Sequence, residues 1–260
     1  MKVLLRCYTV LVLLFLVAPM LVVVPLSFSA GEVLTLPMPG LSLRWYEDFF
    51  TSGRWLVATR NSVVVGLHAA ALATLLGTLA AFGLFLWGGR APRLPLMALS
   101  LPLVVPSVIV GVAMYFAFAM VGLTSTLSGL ILAHTVLALP YVVVTVLASL
   151  QGFDRTLLRA ATSLGAPFHV VLRRVVLPLI APAVGAGALF AFATSFDELI
   201  VALFIAGPEQ FTLPRQMLAG LREFLSPTVC AAAVLLTLVS LVLLGLHQAL
   251  LGAKAPGLEK

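Results

Sequence analysis

Asp197 and Glu198 stand side by side in SFDELIVALF, inside a long apolar run. If that run crosses a bilayer, an ionised carboxylate at its centre costs on the order of 2.5–3.5 kcal/mol, so its first reading is functional. Counted outward from Pro178 at about 1.5 Å per residue, both acids fall in the outer half of the membrane. There a carboxylate facing a wet cavity can receive an ammonium group; the competing readings are a structural hydrogen bond to a neighbouring helix and a helix end that lies nearer the interface. On a continuous helix Asp197 shares a face with Ala193, Thr194, Val201 and Phe204. Glu198 is then turned by about 100°. At most one of the two acids need touch a passenger.

The second constellation is RAATSLGAPFHVVLRRVVLP, residues 159–178, a basic insert between apolar segments. Asp154 can cap a short helix with Leu157, Ala161 and Leu164 on one face and Arg155, Arg159 and Thr162 or Ser163 on another. Gly165 stands where a helix ends in a left-handed residue, Pro167 suits the first turn of a second helix, and Pro178 marks a further break. A first helix of about ten residues, roughly 15 Å long, does not stand alone in water. It must rest on lipid or serve as a docking knob for a soluble partner.

No other chemistry is readable. The chain has no G-x-x-x-x-G-K-[ST] loop, and no Lys or Arg between 94 and 154, so any nucleotide is hydrolysed elsewhere. His68, His134 and His247 fall on three different apolar segments and His169 in the basic insert, without ligand spacing. They read as packing or interfacial residues, and neither a metal site nor a catalytic site is expected.

The elements that must position these residues are set by composition. With 62% hydrophobic residues, 9% charged and a mean hydropathy of +1.19, the chain is not a soluble globule. Continuous apolar runs recur along it, which excludes a β-barrel and indicates an all-α, polytopic membrane protein. Six spans are expected, at roughly 7–28, 61–87, 96–121, 127–149, 180–205 and 228–251. Around them lie a first helix and outer loop (1–56), a core (57–251) with the basic loop at about 150–178, and a tail (252–260). The 31–60 loop can hold a short helix on the outer surface, and Ser125, Thr126 and Ser128 form an outer turn and cap. The pI near 9.9 reflects basic loops, not nucleic-acid binding.

The first span competes with a signal peptide, since Ser27-Phe28-Ser29 precedes Ala30 like a cleavage site. Its apolar run is too long for that and is interrupted by Pro19 and Pro25, so a retained helix is expected. With the N-terminus inside, Lys2, Arg6, Arg90, Arg93, Arg155, Arg159, Arg173, Arg174, Lys254 and Lys260 are cytoplasmic. Only Arg44, Arg54, Arg60, Arg215 and Arg222 lie outside, so both termini are expected in the cytoplasm. Cys7 and Cys230 read as free, buried thiols, Trp45, Trp55 and Trp87 as interfacial anchors, and the Gly185–Gly187 region as a small-residue packing surface.

The spacing of the basic insert resembles the cytoplasmic signature of ABC importer permeases. Ala160-Ala161, three residues, Gly165, nine residues, Val175, one residue and Leu177-Pro178 match that family's Glu-Ala-Ala, Gly, Ile, Leu-Pro order. Asn61-Ser62 resembles the start of the core domain, and LPLVVPSVIVG (101–111) its Pro-rich third span. SFDELIVALFIAGPEQFTLPRQML (195–218) is similar to the second, shorter subunit of the spermidine/putrescine permease subfamily. Arg159 departs from the signature's Glu, and Ser163 stands where polyamine relatives commonly carry an acid. The family's acidic contact therefore does not carry over.

The resemblance implies a six-helix, MetI-like permease fold in a bacterial inner membrane. It implies three kinds of partner: a homologous second permease, two copies of an ATP-binding subunit, and a periplasmic substrate-binding protein. ATP and Mg would be bound by the partner ATPase, with no cofactor in this chain. Arg159, Ala160, Ala161, Gly165, Leu177 and Pro178 would form the coupling segment that docks on the ATPase, and Asp197 and Glu198 would line the substrate path. Polyamine is the implied cargo; related permeases carry opines, ferric iron, sulfate or phosphonates. The rivals are a secondary transporter, which would show inverted repeats and broken helices, and a non-transporting membrane anchor.

Overall fold

The computed structural model describes residues 2–87, 93–223 and 226–252. Arg90, Lys254 and Lys260, the tail beyond Gly252 and the side chains of Lys2, Arg93 and Arg155, on which the expected orientation and helix face draw, lie outside what is described. In chain order the helices are α1 (Lys2–Ser27), α2 (Arg44–Thr51), α3 (Gly53–Trp87), α4 (Arg93–Val104), α5 (Ser107–Met120) and α6 (Leu127–Gln151). They continue with α7 (Arg155–Ser163), α8 (Phe168–Val171), α9 (Leu177–Phe196), α10 (Ile200–Ile205), α11 (Leu213–Glu223) and α12 (Thr228–Gly252). A π-helical turn, Leu172–Val176, joins α8 to α9 without a gap.

Among the described residues five helices are long and apolar enough to cross a membrane, and a bent pair, taken as one span, brings the number to six. That pair is the expected third span. It is not one rod: Leu94–Val104 and Ser107–Met120 meet at 103°. Pro106 is the cause, because it has no N–H to continue the ladder and pushes Val105 out of helical geometry. Pro106 adopts φ −53° and ψ 131° and becomes the cap of α5. The fifth span also breaks, between α9 and α10. Broken spans were expected of an ion-gradient-driven transporter, so this feature does not separate that class from an ABC permease. Pro19 and Pro25, in contrast, stay inside a continuous α1.

The chain forms two compact units. The first joins Met1–Thr59 with Leu213–Ser240. In it the segment between α1 and α3 does hold a short helix, α2, tied down by polar contacts. The Ser27 hydroxyl and Tyr46 OH lie 2.7 Å apart, Trp45 Nε1 donates to the Ser29 carbonyl at 2.7 Å, and Thr228 Oγ1 donates to Asp48 Oδ2 at 2.8 Å. Trp55 is buried against Phe49 and is no interfacial anchor, whereas Trp87, on the second unit, is 64% exposed. Cys230 is buried as expected, but Cys7 lies exposed on α1; both thiols are free.

The second unit joins Arg60–Thr212 with Leu241–Lys260. Its centre is the α6–α9 contact, the most extensive helix pair. Small residues make it close: Ala183, Ala186 and Gly187 of α9 are buried, and a Cβ on Gly187 would stand 3.4 Å from Val142 Cα. Without a hydrophobic force between helices in lipid, such approach supplies the packing energy. His247 Nδ1 reaches the Ala186 carbonyl at 3.0 Å, which fixes the last turns of α12 in this unit.

The two half-spans α5 and α10 pack on each other, with Gly111 against the Phe204 ring; a Cβ there would stand 2.6 Å from Cδ2. Gly111→Val should overpack this contact and destabilise by about 1–3 kcal/mol. The check is a lowered thermal unfolding midpoint of the detergent-solubilised protein, and an unchanged midpoint would show that the pair gives way freely.

Candidate functional site

The last regular bond of α9 runs from Asp197 N to the Ala193 carbonyl at 3.1 Å. Asp197 is the C-cap residue with φ −94° and ψ −1°, and the α-helix is interrupted until Ile200. The expectation that Asp197 shares a helical face with Val201 and Phe204 therefore fails. Both acids lie in a helix break, because polar side chains compete with the ladder and are better accommodated where it ends.

The break separates the two acids in role. Glu198 turns forward, and its Oε1 accepts the Val201 N–H at 2.6 Å, satisfying a donor in the first turn of α10. Asp197 is exposed, and among the described residues no hydrogen bond or ion pair reaches its carboxylate. It also stands at the C-terminal end of a 20-residue helix, where the free carbonyls already carry partial negative charge. An acid there is electrostatically unfavourable unless a cation visits. The geometry thus offers a free carboxylate beside a helix end, a place for an ammonium group.

The break is held from the other side by His134 of α6. This side chain is wholly buried, with Nδ1 3.1 Å from the Ser195 carbonyl and 2.8 Å from Ser195 Oγ. The partners stand 61 residues apart in sequence, and nothing in the residue pattern pairs them. Packing is the role the sequence suggests for His134, and that is only part of its use. Asn61 is similar: its Nδ2 donates to the carbonyls of Glu209 and Phe211 at 2.9 and 3.0 Å, pinning the chain after α10.

The basic insert folds largely as its local signals dictate. Asp154 caps α7, accepting from Thr156 N at 2.8 Å and from its hydroxyl at 2.7 Å. These two donors hold its carboxyl below its ordinary range, the hydroxyl contributing more. A depressed folded value means that the cap's contribution is present above the ordinary carboxylate range and lost as pH falls through the lower folded value. Thr126 likewise caps α6 through Gly129 N at 3.0 Å.

Gly165 has φ +76°, so the left-handed turn between α7 and α8 is real. Pro167 is the residue before α8, φ −66° and ψ 151°, not part of its first turn. Pro178 makes no break. The π turn ahead of it, with Leu177 N bonded to the Leu172 carbonyl, admits the ring inside a continuous helical path. The apolar face of α7 is split: Leu158 packs on the core, whereas Leu157 and Leu164 stay 43% and 88% exposed. Arg159 and Ala160 are exposed and Ala161 half-buried, so the outward side presents Arg159 beside uncovered leucines. Leu177 and Pro178 lie at the start of α9, also exposed.

Comparison with known proteins fits this arrangement. The profile of the family described as binding-protein-dependent transport system inner membrane component matches residues 73–253. The spermidine/putrescine transport system permease protein PotC of Haemophilus influenzae is 33% identical over 234 residues, covering 90% of this chain and 91% of that one. The putrescine transport system permease protein PotI of Escherichia coli is 34% identical over 231 residues, covering 85% and 81%. Among solved structures, a chain from a bacterial ABC transporter involved in the import of the acidic polysaccharide alginate superposes with a TM-score of 0.71. It covers 98% of this chain and 96% of that one at 13% identity, a likeness of fold alone.

Proposed function

Because the chain belongs to the binding-protein-dependent transport system inner membrane components, it is a membrane permease subunit, and we propose that it carries polyamines or a related organic cation as one half of an ATP-driven importer. The relatives named for spermidine and putrescine support this cargo, and one structural observation carries it: the free Asp197 carboxylate at the C-terminal end of α9. Glu198 serves the break and not the passenger. Sulfate or phosphonate would meet repulsion at Asp197. The direct test is uptake of labelled spermidine into proteoliposomes holding the assembled transporter and its binding protein, with sulfate and ferric iron as competitors. Uptake of spermidine blocked only by other polyamines supports the reading, and uptake of an anion instead overturns it.

The partners proposed are a homologous second permease, two copies of an ATP-binding subunit and a periplasmic binding protein, with both termini of this chain cytoplasmic. ATP and Mg, held by those subunits, supply the driving force. This chain's part is mechanical. Arg159, Ala160 and Ala161 dock on the ATPase surface, Gly165 sets the angle between α7 and α8, and the path through Leu177 and Pro178 passes the displacement into α9.

Arg159 gives a charge-specific test. It is exposed and replaces the acid of the family signature, so its partner surface is expected to complement a positive charge. Arg159→Glu should lower ATP hydrolysis stimulated by loaded binding protein by roughly tenfold, since like charges at a docking surface are strongly disfavoured. Unchanged or higher stimulation would place Arg159 in solvent.

A further inference from the structure

We infer that His134 is a positioning residue for transport: it completes the hydrogen bonding of the broken fifth span and thereby holds Asp197 in place. A helix that ends in an apolar interior leaves carbonyls that water cannot satisfy, so such an end needs a protein donor. At this break the Ser195 carbonyl meets, within its own chain segment, the capping Asp197 N–H and a long contact from Glu198 N at 3.4 Å. His134 Nδ1 lies closer, at 3.1 Å, and comes from α6, the helix most extensively packed on α9. A carbonyl can only accept, so a bond to it needs the tautomer with the hydrogen on Nδ1, in which the Ser195 hydroxyl oxygen at 2.8 Å accepts from the same N–H.

The other ring nitrogen makes the case sharper. Nε2 is buried with no partner among the described residues. A leucine would fill much the same space without burying a bare nitrogen, so the imidazole is present for the bonding edge. Glu198 performs the complementary task on the forward side by accepting from Val201 N. One group satisfies the carbonyl end and another the N–H end. Asp197, between them, is left free at a fixed place. The inference rests on the reading of Asp197 as part of the substrate path.

Three variants separate bonding from packing. His134→Asn keeps a donor near the Nδ1 position, His134→Gln places one near Nε2, and His134→Leu removes both. Spermidine uptake would be measured per assembled transporter in proteoliposomes, with yield recorded separately. The leucine and glutamine variants should transport roughly tenfold more slowly, and asparagine should stay within about twofold of the parent. Combined with Asp197→Asn, the leucine change should add nothing, because both act through one carboxylate. Wild-type uptake with leucine, equal rescue by glutamine and asparagine, or fully additive losses would each overturn the inference. If the leucine variant does not assemble, the asparagine–glutamine pair decides.

An independent readout covers the case in which Asp197→Asn itself changes nothing, which would remove the substrate-path reading alone. In a chain with Cys7→Ser and Cys230→Ala, Asp197→Cys would be labelled with a water-soluble maleimide. His134→Leu and His134→Gln should change the labelling rate several-fold and His134→Asn should not. Equal rates in all backgrounds would show that His134 does not hold the break.

Discussion

Asp197→Asn is expected to slow uptake per assembled transporter by roughly 10- to 150-fold. The substitution keeps the size of the side chain and most of its hydrogen-bonding capacity while removing the charge. A charge-assisted hydrogen bond lost from the translocation step is worth about 1.5–3 kcal/mol, and about 1.4 kcal/mol is one decade of rate. Asp197 has no protein partner among the described residues, so the protein itself loses little. Its position at the C-terminal end of α9 even predicts unchanged or slightly improved yield, since an anion there opposes the helix dipole. Substrate binding to the soluble binding protein should be unaffected. Proteoliposome uptake normalised to complex, with thermal stability measured beside it, is the check. Normal turnover per complex would remove Asp197 from the path, and with it the physical ground for an organic cation.

Gly165→Val should leave membrane insertion intact and lower transport by roughly thirtyfold, with weakened co-purification of the ATPase. At φ +76° the turn lies where a residue with a Cβ is strained by about 1–2 kcal/mol, and a β-branched one by more. No atom lies within 4 Å of the position a Cβ would take, so the effect is one of backbone conformation and not of collision. That distinction supplies the control. Gly165→Asn, which tolerates the left-handed region, should retain most activity. A valine variant that co-purifies and transports normally would detach this turn from coupling, and an asparagine variant as impaired as valine would point to a need for bare backbone.

What was legible in the sequence was what is local. The cap at Asp154, the short helix after it and the left-handed Gly165 follow from residues within a turn or two of one another, and the spans follow from length and apolarity. The breaks were not legible as breaks. Averaged over the length of a span, hydropathy stays high across Val105–Pro106 and across Asp197–Leu199, so a window long enough to find a span does not resolve either break. Yet the signals were present, as Pro106 in one case and the adjacent acids themselves in the other. Contacts across the fold were silent: no spacing rule pairs His134 with Ser195, or Asn61 with Glu209 and Phe211. Division of labour between Asp197 and Glu198 needed the side-chain directions, because two neighbouring carboxylates look alike until one is seen accepting a backbone N–H.

The π turn at Leu172–Val176 has a bearing on where this chain tolerates changes of length. Such a turn houses one residue more than the equivalent α-helical stretch. Deleting a single residue there would let the segment run as ordinary α-helix, with α8 and the face of α9 keeping their phase. The same deletion within α9 has no such reservoir. It would rotate everything beyond it by about 100° and carry Ala183, Ala186 and Gly187 off the α6 contact. A single-residue deletion made at 172–176 should therefore be tolerated better, by yield of folded protein, than one made within 180–196.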